Sequence, residues 1–249
     1  MTPESNHEIA TRTETLWADI ATHEDTWEAM RSEYFDTTRI NLNPGTMGTP
    51  SRPVRIAKSL HDDVELDAFP LDQYEAAHEG LRRSVALCNL LWPTPDHRLV
   101  ITSGTTHTMS ALLQPLVASL DAAPDDIRVL TTLHESSHGV PELENNAFQL
   151  RYLEDDILGD LDELEGIATD FQPDIFFLSQ VLYDTGEVLP VEAMTTAVKK
   201  ANPEALVIVD VSQSIGLYPL PFHGADALVG SAHKWLFGPK GLGFLWVIY

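Results

Sequence analysis

The chain has 249 residues, 43% of them hydrophobic, which is enough to bury the core of one large domain. Its 38 acidic residues against 15 lysines and arginines give a formal net charge of −23, which disfavours nucleic acid as a partner because phosphates would be repelled. The sequence shows neither an apolar run of membrane-spanning length nor a secretory signal pattern, so we expect a cytoplasmic protein with no membrane partner.

The single cysteine, Cys88, excludes an internal disulfide and a cysteine-rich metal site, and we expect no metal. It lies in the amphipathic stretch SVALCNLLW, which predicts a packing role. The acidic residues are spread along the chain, in segments such as DDVELD and LEDDILGDLDELEG. We interpret this spread as adaptation to high salt, where counter-ions screen the repulsion between carboxylates.

The N-terminal part of the chain predicts two helices separated by an irregular loop. The first helix is predicted over about residues 7–34 and the second over about 71–92. Between them, RINLNPGTMGTPSRP is too rich in glycine, proline and asparagine for regular structure. We therefore divide the chain into an N-terminal helical arm, residues 1–40, and a large domain, residues 41–249.

Further along, short apolar runs alternate with segments of helical periodicity, the pattern of an α/β fold with a mostly parallel sheet and flanking helices. The helical segments are THTMSALLQPLVASL, GDLDELEGIATDF and PVEAMTTAVKKA. About a dozen residues separate the last two strands, barely enough for a parallel crossover, so we expect the last strand to be antiparallel. Seven strands are predicted: 98–102, 127–132, 148–153, 174–179, 205–211, 226–231 and 243–249.

Ligands of open parallel sheets bind beyond the carboxyl ends of the strands, so the residues that follow each strand are functional candidates. After the first strand, SGTTHT opens a helix, and its small residues let backbone N–H groups and the hydroxyls of Thr105 and Thr106 approach a phosphate. The competing interpretation is structural, with Ser103 as the helix N-cap.

Two further segments follow strands. Asp210 lies at the end of the fifth strand, close to Gln213, and a buried carboxylate there needs a partner. That partner could be a protonated ring nitrogen of a ligand, a capped backbone N–H or a basic side chain. After the fourth strand, Tyr183 in QVLYDTGEVLPV could hydrogen-bond a ligand edge, or the segment could be a structural turn before a helix that starts near Pro190.

Lys234 is the candidate nucleophile. It follows the sixth strand in SAHKWLFGPKGLGFLWV, and its apolar neighbours WLF predict partial burial. A partly buried amine can form an imine with an aldehyde cofactor, while Ser231 and His233 bind the phosphate of that cofactor. The alternative, a solvated lysine before a turn, fits Lys240 better.

Small residues after the first strand, Asp-x-x-Gln after the fifth and Ser-x-His-Lys after the sixth occur in this order. In this combination the sequence resembles the class V aminotransferases, pyridoxal 5′-phosphate enzymes of fold type I. The resemblance extends over about residues 41–249, and NLNPGTMGTPSRPV and SQVLYDTGEVLPV look most like the isopenicillin N epimerase-like branch. It implies the large domain of that fold, with a seven-stranded, mostly parallel sheet.

The resemblance also implies a role for each candidate. Lys234 would form the internal aldimine and later move the proton at the substrate α-carbon, and Asp210 would keep the pyridine nitrogen protonated. Gln213 would hydrogen-bond the 3′-oxygen of the ring, with Tyr183 near the same edge. The implied substrate is a small amino acid and the implied assembly a homodimer. The phosphate-binding group would comprise Gly104, Thr105, Thr106, Ser231 and His233.

The sequence departs from the family pattern in three places. Family members usually stack an aromatic ring or a histidine on the cofactor, whereas an ungapped match places Ser136 there, with His134 or His138 as substitutes after a local shift. His107 stands where relatives often have glutamate. Relatives also continue beyond the position of Tyr249 into a small C-terminal domain that supplies an arginine for the substrate carboxylate, so we expect this domain to be absent.

Two functional hypotheses remain open. The first is a pyridoxal phosphate enzyme that acts on an amino acid by transamination, racemisation or elimination. The second is a catalytically idle remnant that binds the cofactor or a partner chain. Desulfuration lacks support because Cys88 lies far upstream of the place of the desulfurase cysteine. A nucleotide site is disfavoured because SGTTHT lacks the lysine of a phosphate-loop NTPase and no G-x-G-x-x-G follows the first strand.

Overall fold

The computed structural model describes residues 41–248 except 68–69, 95, 121–122, 137–142, 145 and 147, together with residues 28, 31, 32 and 34. Apart from those last four residues, the helix predicted over 7–34 and the arm of residues 1–40 lie outside the described residues. Contacts group the chain into two units: Met1–Leu42 with Thr49–Pro93, and Asn43–Gly48 with Thr94–Tyr249.

In the first unit the described elements are two helices, α1 (Arg52–Asp67) and α2 (Pro70–Leu91). The second helix confirms the prediction over 71–92. The sequence pattern does not predict α1, which begins directly after the glycine- and proline-rich loop. Pro53 lies in its first turn, a favoured place because an N–H there would have no helical partner. Cys88 on α2 is buried, in agreement with a packing role, and burial raises the pKa of its thiol.

The second unit contains a seven-stranded sheet in the order β1-β7-β6-β5-β4-β2-β3. β7 pairs antiparallel with both β1 and β6, and the remaining neighbours pair in parallel. The predicted α/β fold, with its antiparallel last strand, is therefore confirmed. The strands are β1 (His97–Thr102), β2 (Arg128–Thr132), β3 (Gln149–Leu153), β4 (Ile175–Ser179), β5 (Leu206–Asp210), β6 (Ala227–Ser231) and β7 (Gly243–Ile248).

Three helices of the second unit match the predicted helical segments: α3 (Thr105–Ser119), α4 (Leu161–Phe171) and α5 (Val191–Ala201). Their start signals are local. The Asp160 side chain accepts a hydrogen bond from the backbone N–H of Glu163 and caps α4, while Pro190 occupies the N-cap position of α5.

The core explains why the central strands read as continuous apolar runs. Every residue of β4 and of β6 is buried, because a parallel sheet is covered on both faces. Met109 and Leu113 of α3 pack in one cluster with Val129, Phe177 and Val229 from three strands. Burying a side chain of this size contributes about 1.5–3 kcal/mol. No helix among the described residues is both long and apolar enough to cross a membrane.

Because β1, β2, β4, β5 and β6 run in the same direction, the segments that follow them emerge at one edge of the sheet, the carboxyl edge. This edge carries the predicted candidates after β1, β4, β5 and β6.

Candidate active site

Three buried hydroxyl groups meet where β1, β5 and β6 end. The Oγ1 of Thr105, the first residue of α3, lies 2.8 Å from the Oγ of Ser212 and 2.7 Å from the Oγ of Ser231. The backbone N–H of Thr105 also donates to the Oγ of Ser231 at 3.1 Å. Hydroxyls at the N-terminus of a helix provide donors for an anion such as a phosphate group.

The start of α3 depends on two glycines. Gly104 is the N-cap, with a φ of 137° and no side-chain cap, so the interpretation of Ser103 as N-cap is wrong. A Cβ on Gly243 would lie 2.6 Å from both the Cα and the N of Gly104. Only glycine at position 243 therefore lets β7 pass this closely beside the start of α3.

Asp210, the last residue of β5, is 5% exposed. Its Oδ1 accepts a hydrogen bond of 2.7 Å from the backbone N–H of Ser212. Among the described residues, no lysine, arginine or histidine forms an ion pair with it. Of the partners expected for Asp210, the backbone N–H is thus present and a basic side chain is not among the described residues, so a cationic ligand atom could pair with this buried carboxyl group.

Gln213 joins three segments at the carboxyl edge. Its Oε1 accepts from the indole N–H of Trp235 at 2.7 Å, and its Nε2 donates to the carbonyl oxygen of Gly45 at 3.1 Å. The amide nitrogen carries a second hydrogen, so one donor remains for a ligand. Gln213 therefore fixes the turn after β5 against the turn that holds Lys234, whatever else it binds.

Lys234 lies three residues beyond the end of β6, in a turn that the backbone holds closely. Gly48 donates its N–H to the carbonyl oxygen of His233 at 2.7 Å, and Phe237 donates its N–H to the carbonyl oxygen of Lys234 at 3.1 Å. The Lys234 side chain is partly buried, and its amine has no hydrogen bond or ion pair with another described residue. The turn thus fixes the backbone of Lys234 while the amine stays available.

The remaining predicted residues lie on the surface of this edge. Thr106 and His107 are exposed in the first turn of α3. Tyr183 is 55% exposed in a turn closed by an isolated bridge between Val181 and Val188, which agrees with a turn before α5. Contact between Tyr183 and a ligand stays a prediction.

The segment after β2 was expected to supply the residue that stacks on a ring. Both nitrogens of His134 face carboxylates, with Nδ1 2.7 Å from Asp184 and Nε2 2.8 Å from Asp155, and stacking by this segment stays a prediction. These two hydrogen bonds, the stronger from Asp184, raise the pKa of His134. Ser136 is partly buried, and His138 lies outside the described residues.

Glu135 is a site residue that the sequence pattern does not reveal. It is 5% exposed and accepts hydrogen bonds from the Thr132 hydroxyl and from the backbone N–H of Ser179. Burial raises its pKa to about 7, and the charge of Asp210 contributes to that rise. The segment HESSH, residues 134–138, has the polar composition typical of a surface loop. Nothing in the sequence shows that the glutamate side chain is buried.

Comparisons with known proteins agree with this geometry. A family model described as aminotransferase class-V matches residues 71–248. A probable cysteine desulfurase of Haemophilus influenzae is 28% identical over 219 residues, 85% of this chain and 48% of the relative. An isopenicillin N epimerase of Amycolatopsis lactamdurans is 36% identical over 73 residues, 28% of this chain and 18% of the relative.

Among solved structures, the apo cysteine desulfurase of Thermococcus onnurineus NA1 superposes with a TM-score of 0.70 at 21% identity, over 89% of this chain and 56% of that one. The chain therefore has the fold of the type I pyridoxal phosphate enzymes and spans about half the length of the relatives it matches. The chain belongs to the aminotransferase class-V family, whose members use pyridoxal 5′-phosphate as cofactor.

Proposed function

We propose that this protein is a pyridoxal phosphate-dependent enzyme that acts on a small amino acid, with the cofactor bound at the carboxyl edge. The observation that carries the proposal is that a buried carboxylate, a lysine amine and a cluster of hydroxyl groups lie at the same edge of the sheet. Among the described residues, Asp210, a carboxylate buried without a cation, ends β5, and Lys234, an amine without a partner, follows the adjacent strand β6. The hydroxyl cluster around Thr105 lies at the end of the same β6 strand.

The described residues fit the chemistry of the cofactor. Lys234 would hold the cofactor covalently and move the proton at the substrate α-carbon, and Asp210 would pair with the protonated pyridine nitrogen. When bound, the cofactor supplies an electron sink for the α-carbon. Gln213 and Tyr183 would contact the ring edge. The phosphate would be held by Gly104, Thr105, Thr106, Ser231 and His233.

The relatives named above are a desulfurase and an epimerase, so the reaction type is part of what must be measured. We place the substrate among amino acids because both names denote chemistry on an amino acid or its derivative. A homodimer, implied by the resemblance, and a cytoplasmic location, expected from the sequence, complete the proposal.

A second candidate is a protein that binds the cofactor without turnover. Ser136 has no ring to stack on a cofactor, and the chain spans about half of its relatives. Assaying cofactor-loaded protein with a panel of amino acids separates the two candidates. Turnover of any of them by the wild-type chain excludes the idle candidate.

Cofactor binding is tested by titrating the purified protein with pyridoxal phosphate and recording the visible absorbance band of the lysine-bound form. We expect the band in the wild-type protein and in the matched control Lys240→Ala, because Lys240 is exposed. We expect it to be lost in Lys234→Ala. An undiminished band in Lys234→Ala would refute the assignment of Lys234.

A further inference from the structure

A buried acid beside Asp210 has no role in the function proposed above. The Oε1 of Glu135 accepts hydrogen bonds from the backbone N–H of Ser179 at 2.9 Å and from the Thr132 hydroxyl at 2.8 Å. Its Oε2 lies 2.6 Å from the Oγ of Ser179. These contacts fix the carboxyl group against the last residue of β4.

Ser179 brings this carboxyl group next to Asp210. Ser179 and Asp210 are register partners on the neighbouring parallel strands β4 and β5, so their side chains project from the same face of the sheet. The Glu135 carboxyl group is hydrogen-bonded to the Ser179 side chain on that face. Two buried carboxyl groups on one face of neighbouring strands repel each other when both are ionised, and this repulsion adds to the burial that favours the protonated form of Glu135.

Of the two carboxyl groups, Glu135 is the one whose protonated form its surroundings favour. Its pKa is raised to about 7, chiefly by burial and also by the charge of Asp210. The charge of Asp210, which lies on the strand next to Ser179, acts on Glu135. The neighbouring His134 turns its ring toward Asp155 and Asp184 instead.

We propose that Glu135 is a positioning residue that acts through Asp210: as a neutral acid it leaves Asp210 as the charged group, and it releases its proton when a cation pairs with Asp210. The inference rests on the proposed function, because the cation is the protonated pyridine nitrogen of the cofactor. Pairing neutralises Asp210, removes the like charge and eases the ionisation of Glu135. By linkage, ionised Glu135 strengthens cofactor binding by the same factor.

Glu135→Gln is the matched variant for the test. The amide oxygen can accept the bonds from Ser179 and Thr132, and the amide nitrogen can donate to the Ser179 hydroxyl, so glutamine reproduces the neutral acid without its titration. Ser179→Ala is the second variant. It removes a hydrogen bond that lowers the pKa of Glu135, so any transition of Glu135 should move to higher pH.

The first measurement uses cofactor-free protein. Infrared spectroscopy should detect the C=O stretch of a protonated carboxyl group near neutral pH in the wild type. This band should be missing from Glu135→Gln and should persist to higher pH in Ser179→Ala. Identical carboxyl bands in the wild type and Glu135→Gln would overturn the inference without reference to the cofactor.

The second measurement is the dissociation constant of pyridoxal phosphate in the wild type and Glu135→Gln, from about pH 6 to about pH 8.5. The ratio of the two constants cancels the titration of Lys234 and of the cofactor phosphate, which both proteins share. At the acid end of this range, we expect equal dissociation constants for the wild type and Glu135→Gln. At the alkaline end, the wild type should bind the cofactor up to about tenfold more tightly, since a change of one unit in the pKa of Glu135 on binding corresponds to a tenfold change in affinity.

A pH-independent ratio in two proteins that bind the cofactor would overturn this inference and leave the proposed function intact. Failure of both proteins to bind the cofactor would overturn the proposed function and the inference with it. If Glu135→Gln does not fold, the shift of the transition in Ser179→Ala decides, and an unshifted transition overturns the inference.

Discussion

Gly48 has the closest steric fit among the residues around Lys234. A Cβ at this position would collide with the carbonyl oxygen of Lys234 and would lie 2.7 Å from the Phe237 ring. Gly48→Ala must therefore displace the turn that carries Lys234. We expect a loss of about 1–3 kcal/mol in the free energy of unfolding, together with weaker binding of pyridoxal phosphate. Denaturant unfolding and cofactor titration measure the two effects.

Gly166→Ala is the control for this substitution. Gly166 lies inside α4, and the position that an alanine methyl group would take there has no neighbouring atom within 4 Å. Alanine should therefore stabilise the helix by about 0.5–1 kcal/mol. A Gly48→Ala protein that unfolds at the same denaturant concentration as the wild type would show that the turn adapts without cost.

Single residues also show how far the sequence alone predicts this site. Asp210 and Lys234 are predictable because chemistry-bearing residues at the ends of buried parallel strands must share one edge. Glu135 is not predictable, since its burial depends on a turn that packs it against β4. Gln213 is predicted as a ligand-binding residue, but its bonds to Trp235 and Gly45 depend on loops that meet only in the folded chain.

At the scale of elements, His134 connects the segments that follow β2, β3 and β4. A neutral imidazole has one N–H, whereas both of its nitrogens face carboxylate oxygens, of Asp155 and Asp184, so the charged form satisfies both contacts. The pKa of His134 is accordingly raised above its ordinary value of 6.5. This contribution to stability is fully present below that value and is lost as the pH rises through the folded-state pKa.

We therefore expect amide hydrogens in residues 133–136 and 154–159 to exchange faster in His134→Ala than in the wild type at acidic pH. At alkaline pH, after correction for intrinsic exchange rates, the difference between the two proteins should be smaller. Exposed His107 provides the control, because His107→Ala should leave these segments unchanged. Equal protection of the segments in His134→Ala and the wild type at acidic pH would show that the histidine does not hold them.

The elements themselves were largely predictable. All seven strands begin and end within one residue of the expected ranges, because buried parallel strands are short apolar runs bounded by polar turns. The antiparallel last strand follows from the short connection between β6 and β7. Helix α1 was missed although Ile56, Leu60 and Val64 recur at helical spacing, because the high share of polar and charged residues from Arg52 to Asp67 suggests a continuation of the preceding loop.

For the whole molecule, the net charge of −23 predicts a dependence of stability on salt. Repulsion among carboxylates is screened as the Debye length falls to about 3 Å at 1 M salt. We expect the melting temperature to rise by several degrees between dilute buffer and molar sodium chloride. Sucrose at equal osmolarity controls for effects of solutes other than screening. Equal melting temperatures in dilute buffer and in molar salt would contradict the interpretation of the acidic surface as salt adaptation.

One lysine of the whole molecule, Lys234, should carry the cofactor. The sequence has five lysines, so borohydride reduction of the cofactor-loaded protein followed by peptide mass mapping gives an unambiguous readout. We predict that the reduced cofactor is found on Lys234 and that Lys240 stays unmodified. Label on other lysines, with Lys234 unmodified, would contradict the account.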